Sequence, residues 1–494
     1  MSFNISWQTP MTSPRAADLV LAIDAGTTLI KAAVFDLDGV CAGAGQAKQA
    51  TSSPRPGWAE QDPASWWRGA RAAARRALGA ADVSGERIAA IGISTQGGTV
   101  AVFDGAGKPY GPALVWNDSR QRAVESPASS DTHFAATGLV HSNMSPAALA
   151  WLRANRPEWF GGRYRIGYVP DYLTFCTTGN WVTDPTNLAI SNLCDLAAAD
   201  IAECALEKLD LPRAAFAETR QAGEAAGRLS PGAARALGLH AGIPVAVPAH
   251  DQYAGALGAS CVTAGDILLS AGTAWVILLI TDHAVIDRTS SFWPARHVQR
   301  GLWGLLGSIA SGGSTLSKAL ELTKQRADWE HVNRAAAGVP AGSDGLLVVP
   351  HLAGRTIPTW DTGASGAVLG WSLGHTREHV WRATMEGLAF EVRAACEYLR
   401  ERGASVASLR MVGGGAKSDL IPPMLASALG VPVYTNAASD VAVRGAACLA
   451  ARCLGLPDLP QSTGWREREP VAAWRETYHA AYQRYRDAIR RLES

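Results

Sequence analysis

Paired cysteines at metal or redox spacing are missing from this chain. Its eight cysteines (Cys41, Cys176, Cys194, Cys204, Cys261, Cys396, Cys448 and Cys453) are scattered and include no CxxC. That excludes a zinc site of the ribbon type and a disulfide framework, and it fits a reducing compartment. An excess of either charge is also lacking. Forty-five basic residues face 44 acidic ones, a net of +1, which gives no reason to expect nucleic acid or an anionic membrane as partner. No uninterrupted apolar stretch is long enough to span a bilayer. The N-terminal MSFNISWQTPMTSPRAAD lacks the basic-then-apolar pattern of a signal peptide. These absences predict a soluble, cytoplasmic protein. Tryptophans number 17, but aromatics total only 7%, so the count by itself marks no sugar-stacking surface.

Several catalytic signatures are absent too. There is no GxxxxGK[ST], no GxSxG and no HExxH, and Gly413-Gly414-Gly415 falls short of GxGxxG because Ser418 stands where the last glycine belongs. A P-loop enzyme, a serine hydrolase of the nucleophile-elbow type, a common metalloprotease and a dehydrogenase are thereby disfavoured.

What is there is a chain of 494 residues, 47% hydrophobic and 18% charged, too long for one comfortable core and sized for two large domains or three smaller ones. The apolar run Leu19–Ile23 ends in Asp24-Ala25-Gly26-Thr27-Thr28, and a second run, Ile30–Phe35, follows at once, predicting a β-hairpin. A helix is expected over Pro63–Leu78, with Asp62 as N-cap and Pro63 at the first helical position. The strand Ile88–Ser94 then leads to the loop Gln96-Gly97-Gly98. The layout returns in GDILLSAGTAWVILLI (265–280), where Gly272 matches Gly26 at close to half the chain length. LRMVGGG (409–415) echoes Ile88–Gly98 in the same order. The spacing predicts two similarly built domains with a boundary near Gly258–Gly265.

A turn of the type Asp-x-Gly-Thr presents backbone N–H groups that a β-carbon would crowd, and its carboxylate can hold a hydrated magnesium ion. Two such turns could clamp a triphosphate from both sides. In VAVPAHDQYAGALG (245–258) a strand turns through His250 and delivers Asp251 and Gln252 to the start of a small-residue helix. Asp251 either caps that helix or points its carboxylate into a cleft. His250 and His351 are not spaced as metal ligands and read as local hydrogen-bonders. GWAEQDPASWW (57–67) reads as a brace for a helix entry, with Trp58 and Trp66 packing and Glu60 or Asp62 as residues that could reach a cleft. The stretch 468–491 reads as a surface-packed terminal helix.

Taken in order, DAGTTLIKAAVFD (24–36), GWAEQDPASWW, PALVWNDSR (112–120), VTDPTNLAIS (182–191), AHDQYAGALG (249–258), SAGT (270–273), EGLAF (386–390) and GGGAKSDL (413–420) resemble the FGGY carbohydrate kinases. The resemblance runs from about Asp18 to Leu456 and leans to the xylulokinase branch. It implies an α/β chain of two actin-like domains of ribonuclease-H fold, with an active-site cleft between them. After a polar extension (1–17), a sugar-binding domain would span 18–260 and a nucleotide-binding domain 261–494. The implied cofactors are ATP and Mg²⁺, the partner a small sugar or polyol, and a homodimer is a base-rate expectation. Asp251 would be the general base. Asp24 would organise Mg²⁺, with Asp251 as a second candidate ligand. Gly26, Thr27, Thr28 and Lys31 would meet the nucleotide, as would Gly272, Thr273, Gly312, Gly313, Gly414, Gly415 and Ser418. Substrate would lie against Gln96, Gly97, Gly98, Trp116, Asn117, Asp118, Asp251 and Gln252.

The departures from the family pattern bear on the substrate. Glycerol kinases carry an Arg-Glu pair where this chain has Gly97-Gly98, which argues against glycerol; the glycine pair is expected to open space for a longer polyol. Xylulokinases place Met-His near the same point, and this chain does not. Ala274, Gly354-Arg355 and Ser365-Gly366 also depart, without removing a group the chemistry demands. The rival reading is an actin-like ATPase or nucleotide sensor with no sugar acceptor.

Overall fold

Strand Leu19–Ala25 is buried along its whole length, because the sheet around it is covered on both faces. Its neighbours come in the order Cys41–Lys48, Leu29–Asp36, Leu19–Ala25, Ile88–Thr95, Pro244–Ala246. The first three pair antiparallel and the last two join in parallel. A second sheet repeats this order with Trp303–Ile309, Trp275–Thr281, Asp266–Ala271, Ser408–Val412 and Val433–Thr435, again three antiparallel strands followed by two parallel ones. The repeat expected at half-chain spacing is therefore a repeat of topology, with mixed α/β content in both halves. The computed structural model describes residues 17–121, 131–140, 144–326, 328–436 and 440–493. Of the expected N-terminal extension, all but Ala17 lies outside the described residues.

Contacts divide the chain into two units. The first runs to Ser260 and takes in Pro294–Gly301 and Asp440–Ser462; the second comprises Cys261–Trp293, Leu302–Ser439 and Thr463–Ser494. Helix Val441–Cys453 thus belongs to the first unit although it comes late in the sequence.

Period-two alternation sorts the faces of the first sheet. Leu19, Leu21, Ile23 and Ala25 join a core with Trp66, Ala70, Ala73, Ala74 and Ala77 of helix Pro63–Ala81. That helix starts as expected, Asp62 accepting from the Ala64 N–H at 3.0 Å, and runs three residues further than expected. On the opposite face Ala22 lies beside Gly92, where a β-carbon would come within 1.8 Å of the Ala446 carbonyl in helix Val441–Cys453. The same helix meets helix Asp251–Gly258 backbone to backbone: a β-carbon on Gly445 would sit 1.7 Å from the Ala254 carbonyl, and one on Gly258 would sit 2.0 Å from that of Val441.

In the second unit the terminal helix spans Arg475–Leu492, shorter than expected, because Arg466–Arg468 forms a strand at the sheet edge. Tyr478, Tyr482 and Tyr485 are buried at three- and four-residue spacing, so one helical face is part of the core.

Gly445→Ala should therefore destabilise the first unit by about 3 kcal/mol or more, since two backbones would have to separate. Gly79→Ala, with nothing within 4 Å of the added carbon, should be neutral or slightly stabilising. Thermal scans of both variants check this; equal melting temperatures would refute the close contact.

Candidate active site

The face of the first sheet that carries Val20 and Ala22 next presents Asp24, at the point where helix Val441–Cys453 begins. Strand register puts Ser94 beside Asp24 and Lys31 directly opposite. Ser94 Oγ donates to Asp24 Oδ1 at 2.7 Å, and Lys31 Nζ lies 2.6 Å from Asp440 Oδ2. Asp24 is buried, and burial first, then the charges of Asp440 and Asp251, push its carboxyl up to about 7 against the opposing pull of Lys31 and Ser94. Burial works against the Lys31 ammonium, yet Asp440, Asp24 and Asp251 together hold its pKa above the ordinary lysine value. Three carboxylates thus share one lysine.

Asp251 opens its helix where the short strand Ala249–His250 ends beside its parallel partner Ile88–Thr95, with its side chain 29% exposed. His250 Nε2 lies 3.3 Å from its Oδ1. Behind it runs a buried chain: the His250 N–H donates to Thr186 Oγ1 at 2.9 Å, and Thr186 donates to Asp184, which caps helix Pro185–Ile190. The VTDPTNLAIS segment therefore fixes the backbone from which Asp251 projects. Gln252 is the next residue on the same helix.

Gly26 makes the hairpin turn, its N–H donating to the Leu29 carbonyl, and Thr28 is exposed at the tip. Thr27 is tied to the side: its hydroxyl donates to Gln96 Oε1 at 2.8 Å and accepts from Trp116 Nε1 at 3.0 Å. Gln96 also accepts from Thr99 and donates to Gln61, and it is almost fully buried. It braces the hairpin instead of facing a ligand. Trp116 and Asn117 are exposed.

Three expectations are corrected here. Asp118 is not open to a substrate: its side chain is buried, Arg120 Nε and Nη2 donate to its two oxygens at 2.9 and 2.7 Å, and the Ala59 N–H adds a third bond at 2.6 Å. Arg120 also pairs with Glu60 and stacks 3.7 Å over Trp58, while Asp62 is spent on its cap and on Arg68. The conspicuous charges of GWAEQDPASWW are thus structural. Nor does the glycine pair open space. A β-carbon on Gly97 would meet Ile190 at 2.2 Å and His250 at 2.7 Å, and one on Gly98 would meet Met144 at 2.5 Å. Glycine stands there because its neighbours already fill the volume.

In the second unit, Gly272 and Thr273 form the exposed turn between strands Asp266–Ala271 and Trp275–Thr281. Helix Gly312–Leu322 starts against that turn: the Ser314 N–H donates to the Thr273 carbonyl at 3.0 Å, and a β-carbon on Gly313 would lie 2.3 Å from the Gly272 carbonyl. Gly312 is pressed on Trp275, and the loop Gly413–Gly415 lies over Ala271, with Gly414 exposed. Six expected nucleotide residues therefore share one sheet end. Ser418 does not present its hydroxyl. It donates to Asn333 and accepts from the N–H groups of Leu420 and Ile421 at the start of the next helix. Arg355 is held locally by the Thr359 carbonyl and Glu493.

Sequence reasoning missed Asp440 and Ser94. Ser94 sat inside an apolar strand. Asp440 precedes a small-residue helix after the fifth strand of the second sheet, as Asp251 does after the fifth strand of the first; that parallel was the available signal. Among the described residues no three His, Cys, Asp or Glu side chains converge as a metal cage. A buried hard-oxygen ligand such as Asp24 nevertheless fits Mg²⁺, which keeps most of its water and needs one or two carboxylates.

Two outcomes follow. An unfolded Asp24 titrates near 3.8 and the folded one near 7, so between those values the folded chain holds a proton that the unfolded chain has released. Stability therefore falls as pH rises through that window. Asp24→Asn should flatten the decline and be more stable than the parent at pH 8, by on the order of 2 kcal/mol. Parallel melting curves from pH 4 to 8 check this, and equal slopes would refute it. Asp118→Asn, which takes a charge from a buried pair, should cost about 3 kcal/mol in the same scans.

Models of the N-terminal and C-terminal domains of the FGGY family of carbohydrate kinases match residues 19–258 and 267–454. Glycerol kinase from Bordetella parapertussis is 32% identical, over 96% of this chain and 97% of that protein. The crystal structure of xylulose kinase from Rhodospirillum rubrum superposes with a TM-score of 0.88 at 28% identity, over 96% of this chain and 99% of the other. A xyloylose kinase from Brucella ovis gives 0.90 at 28% identity, with 96% and 99% covered. The doubled sheet topology is the actin-like fold of these enzymes, and the expected rival, a nucleotide-binding protein outside the sugar kinases, yields to the match. The protein belongs to the FGGY family of carbohydrate kinases and is an ATP-dependent phosphotransferase.

Proposed function

We propose that this kinase phosphorylates a hydroxyl of a ketose, such as a pentulose, or of a polyol, with Asp251 as general base. The observation that carries the reading is the seat of Asp251: a partly exposed carboxylate at a helix start, whose charge acts on both Asp24 and Lys31. A carboxylate is too weak a base to generate a free alkoxide. In a loose phosphoryl-transfer transition state it need only orient the hydroxyl and collect its proton late, as the new O–P bond forms and the bond to ADP breaks. Lys31, Gly26, Thr27 and Thr28 are assigned to phosphate in the first unit. Gly272, Thr273, Gly312, Gly313, Gly414 and Gly415 are assigned to nucleotide in the second. Mg²⁺, when bound, neutralises phosphate charge, with Asp24 as its protein ligand. Ser418 serves that region by capping its helix.

Trp116, Asn117 and Gln252 are assigned to the sugar beside Asp251, with Gln96 and Asp118 supporting from behind. Gly97 and Gly98 contribute shape, bounded by Ile190 and Met144. The apolar bounds in place of an Arg-Glu grip favour a ketose over glycerol. Glycerol is the second reading, favoured by the names of the sequence relatives at 30–32% identity.

An ADP-release assay across pentuloses, hexuloses, tetritols and glycerol decides between them. A ketose is expected to lead in kcat/KM, and glycerol in first place would overturn that choice. In the same assay Asp251→Asn should lower kcat by about 10²–10⁴-fold while ADP affinity stays within threefold. Near-normal turnover would remove Asp251 from the role of base.

A further inference from the structure

Lys31 and Asp24 face each other directly across the first hairpin, the position in which opposite charges on neighbouring strands normally pair. Among the described residues they do not. Lys31 Nζ instead lies 2.6 Å from Asp440, with both side chains little more than a third exposed. Asp440 stands at the N-cap of helix Val441–Cys453, the place where an aspartate ordinarily accepts a hydrogen bond from the first turn, yet its side chain makes no such bond. It forgoes the local bond and is aimed at the lysine. Asp24, for its part, receives Ser94 on one oxygen.

We infer that Asp440 is a positioning residue, which draws Lys31 off Asp24 so that the second oxygen of Asp24 stays open and the ammonium is displayed toward phosphate. The inference rests on the roles proposed above for Asp24 and Lys31, but not on Asp251 being the base. A carboxylate at 440 is needed because only a second anion competes with Asp24 for the lysine. An uncharged side chain there lets the cross-strand pair close.

The crystal structure of ligand-free Asp440→Asn is expected to show Lys31 Nζ in hydrogen-bond contact with Asp24. Turnover should fall by on the order of 10- to 100-fold, the scale of misplacing one group by about 1 Å. Asp440→Glu should recover to within threefold. Asp440→Ser, which restores a capping side chain but no charge, should not recover. Adding Lys31→Met to Asp440→Asn should cost nothing beyond Lys31→Met alone, because both changes remove the same displayed ammonium. Recovery by Asp440→Ser, a Lys31 that stays clear of Asp24 in the Asn variant, or multiplicative losses in the double variant would overturn the proposal. The crystallographic readout is independent of Asp251, so a Lys31–Asp24 contact in the Asn variant combined with an active Asp251→Asn enzyme would retire the base assignment alone.

Discussion

The contact between helices Asp251–Gly258 and Val441–Cys453 is the constraint on which the site in the first unit depends. Each helix brings its N-terminal aspartate to the same edge of the sheet only because their backbones touch, and they touch only because Gly258 and Gly445 carry no β-carbon. Gly92 extends the same economy to the strand beneath, where Ala446 lies directly on the backbone. An interior packed to crystal-like density transmits any widening of this contact straight to the residues at its ends. Small residues in these helices are thus part of the geometry that sets Asp251 and Asp440 around Asp24.

Bringing three carboxylates round one lysine is electrostatically costly, and the fold offsets the cost in two ways. The Lys31 ammonium offsets part of the charge and Ser94 donates a hydrogen bond to Asp24, while burial and the neighbouring carboxylates push the Asp24 carboxyl up to about 7. Carboxyl groups perturbed in this way are a common feature of functional sites. In the second unit Ser270 occupies the strand position that matches Asp24 in the first. There Gly272 and Thr273 of the turn are exposed, as is Gly414.

Much of this was legible in the sequence, and the boundary of legibility is physical. The two hairpins, their parallel partner strands and the Asp62 cap follow from local patterning, and Asp24, Lys31 and Asp251 stand within or beside recognisable turns. What sequence could not supply was the identity of partners. Asp118 looked like a cleft carboxylate until Arg120, two residues on, was found folded back over Trp58 to hold it. Ser418 looked like a ligand in a glycine loop, but a serine three residues before a helix interior is as well suited to accept that helix's free N–H groups. Asp440 meets Lys31 from the far end of the chain, so no local pattern could join them.

The glycine pair at 97–98 carries a more general lesson about packing. A missing side chain in a sequence suggests room, yet in a folded interior the volume belongs to whatever packs there, and here Ile190, His250 and Met144 have taken it. The space beside these two glycines is thus filled by side chains from three distant segments. A β-carbon added at Gly97 would press on Ile190 and His250, and one at Gly98 on Met144, at a backbone φ of +70° that side chains rarely adopt.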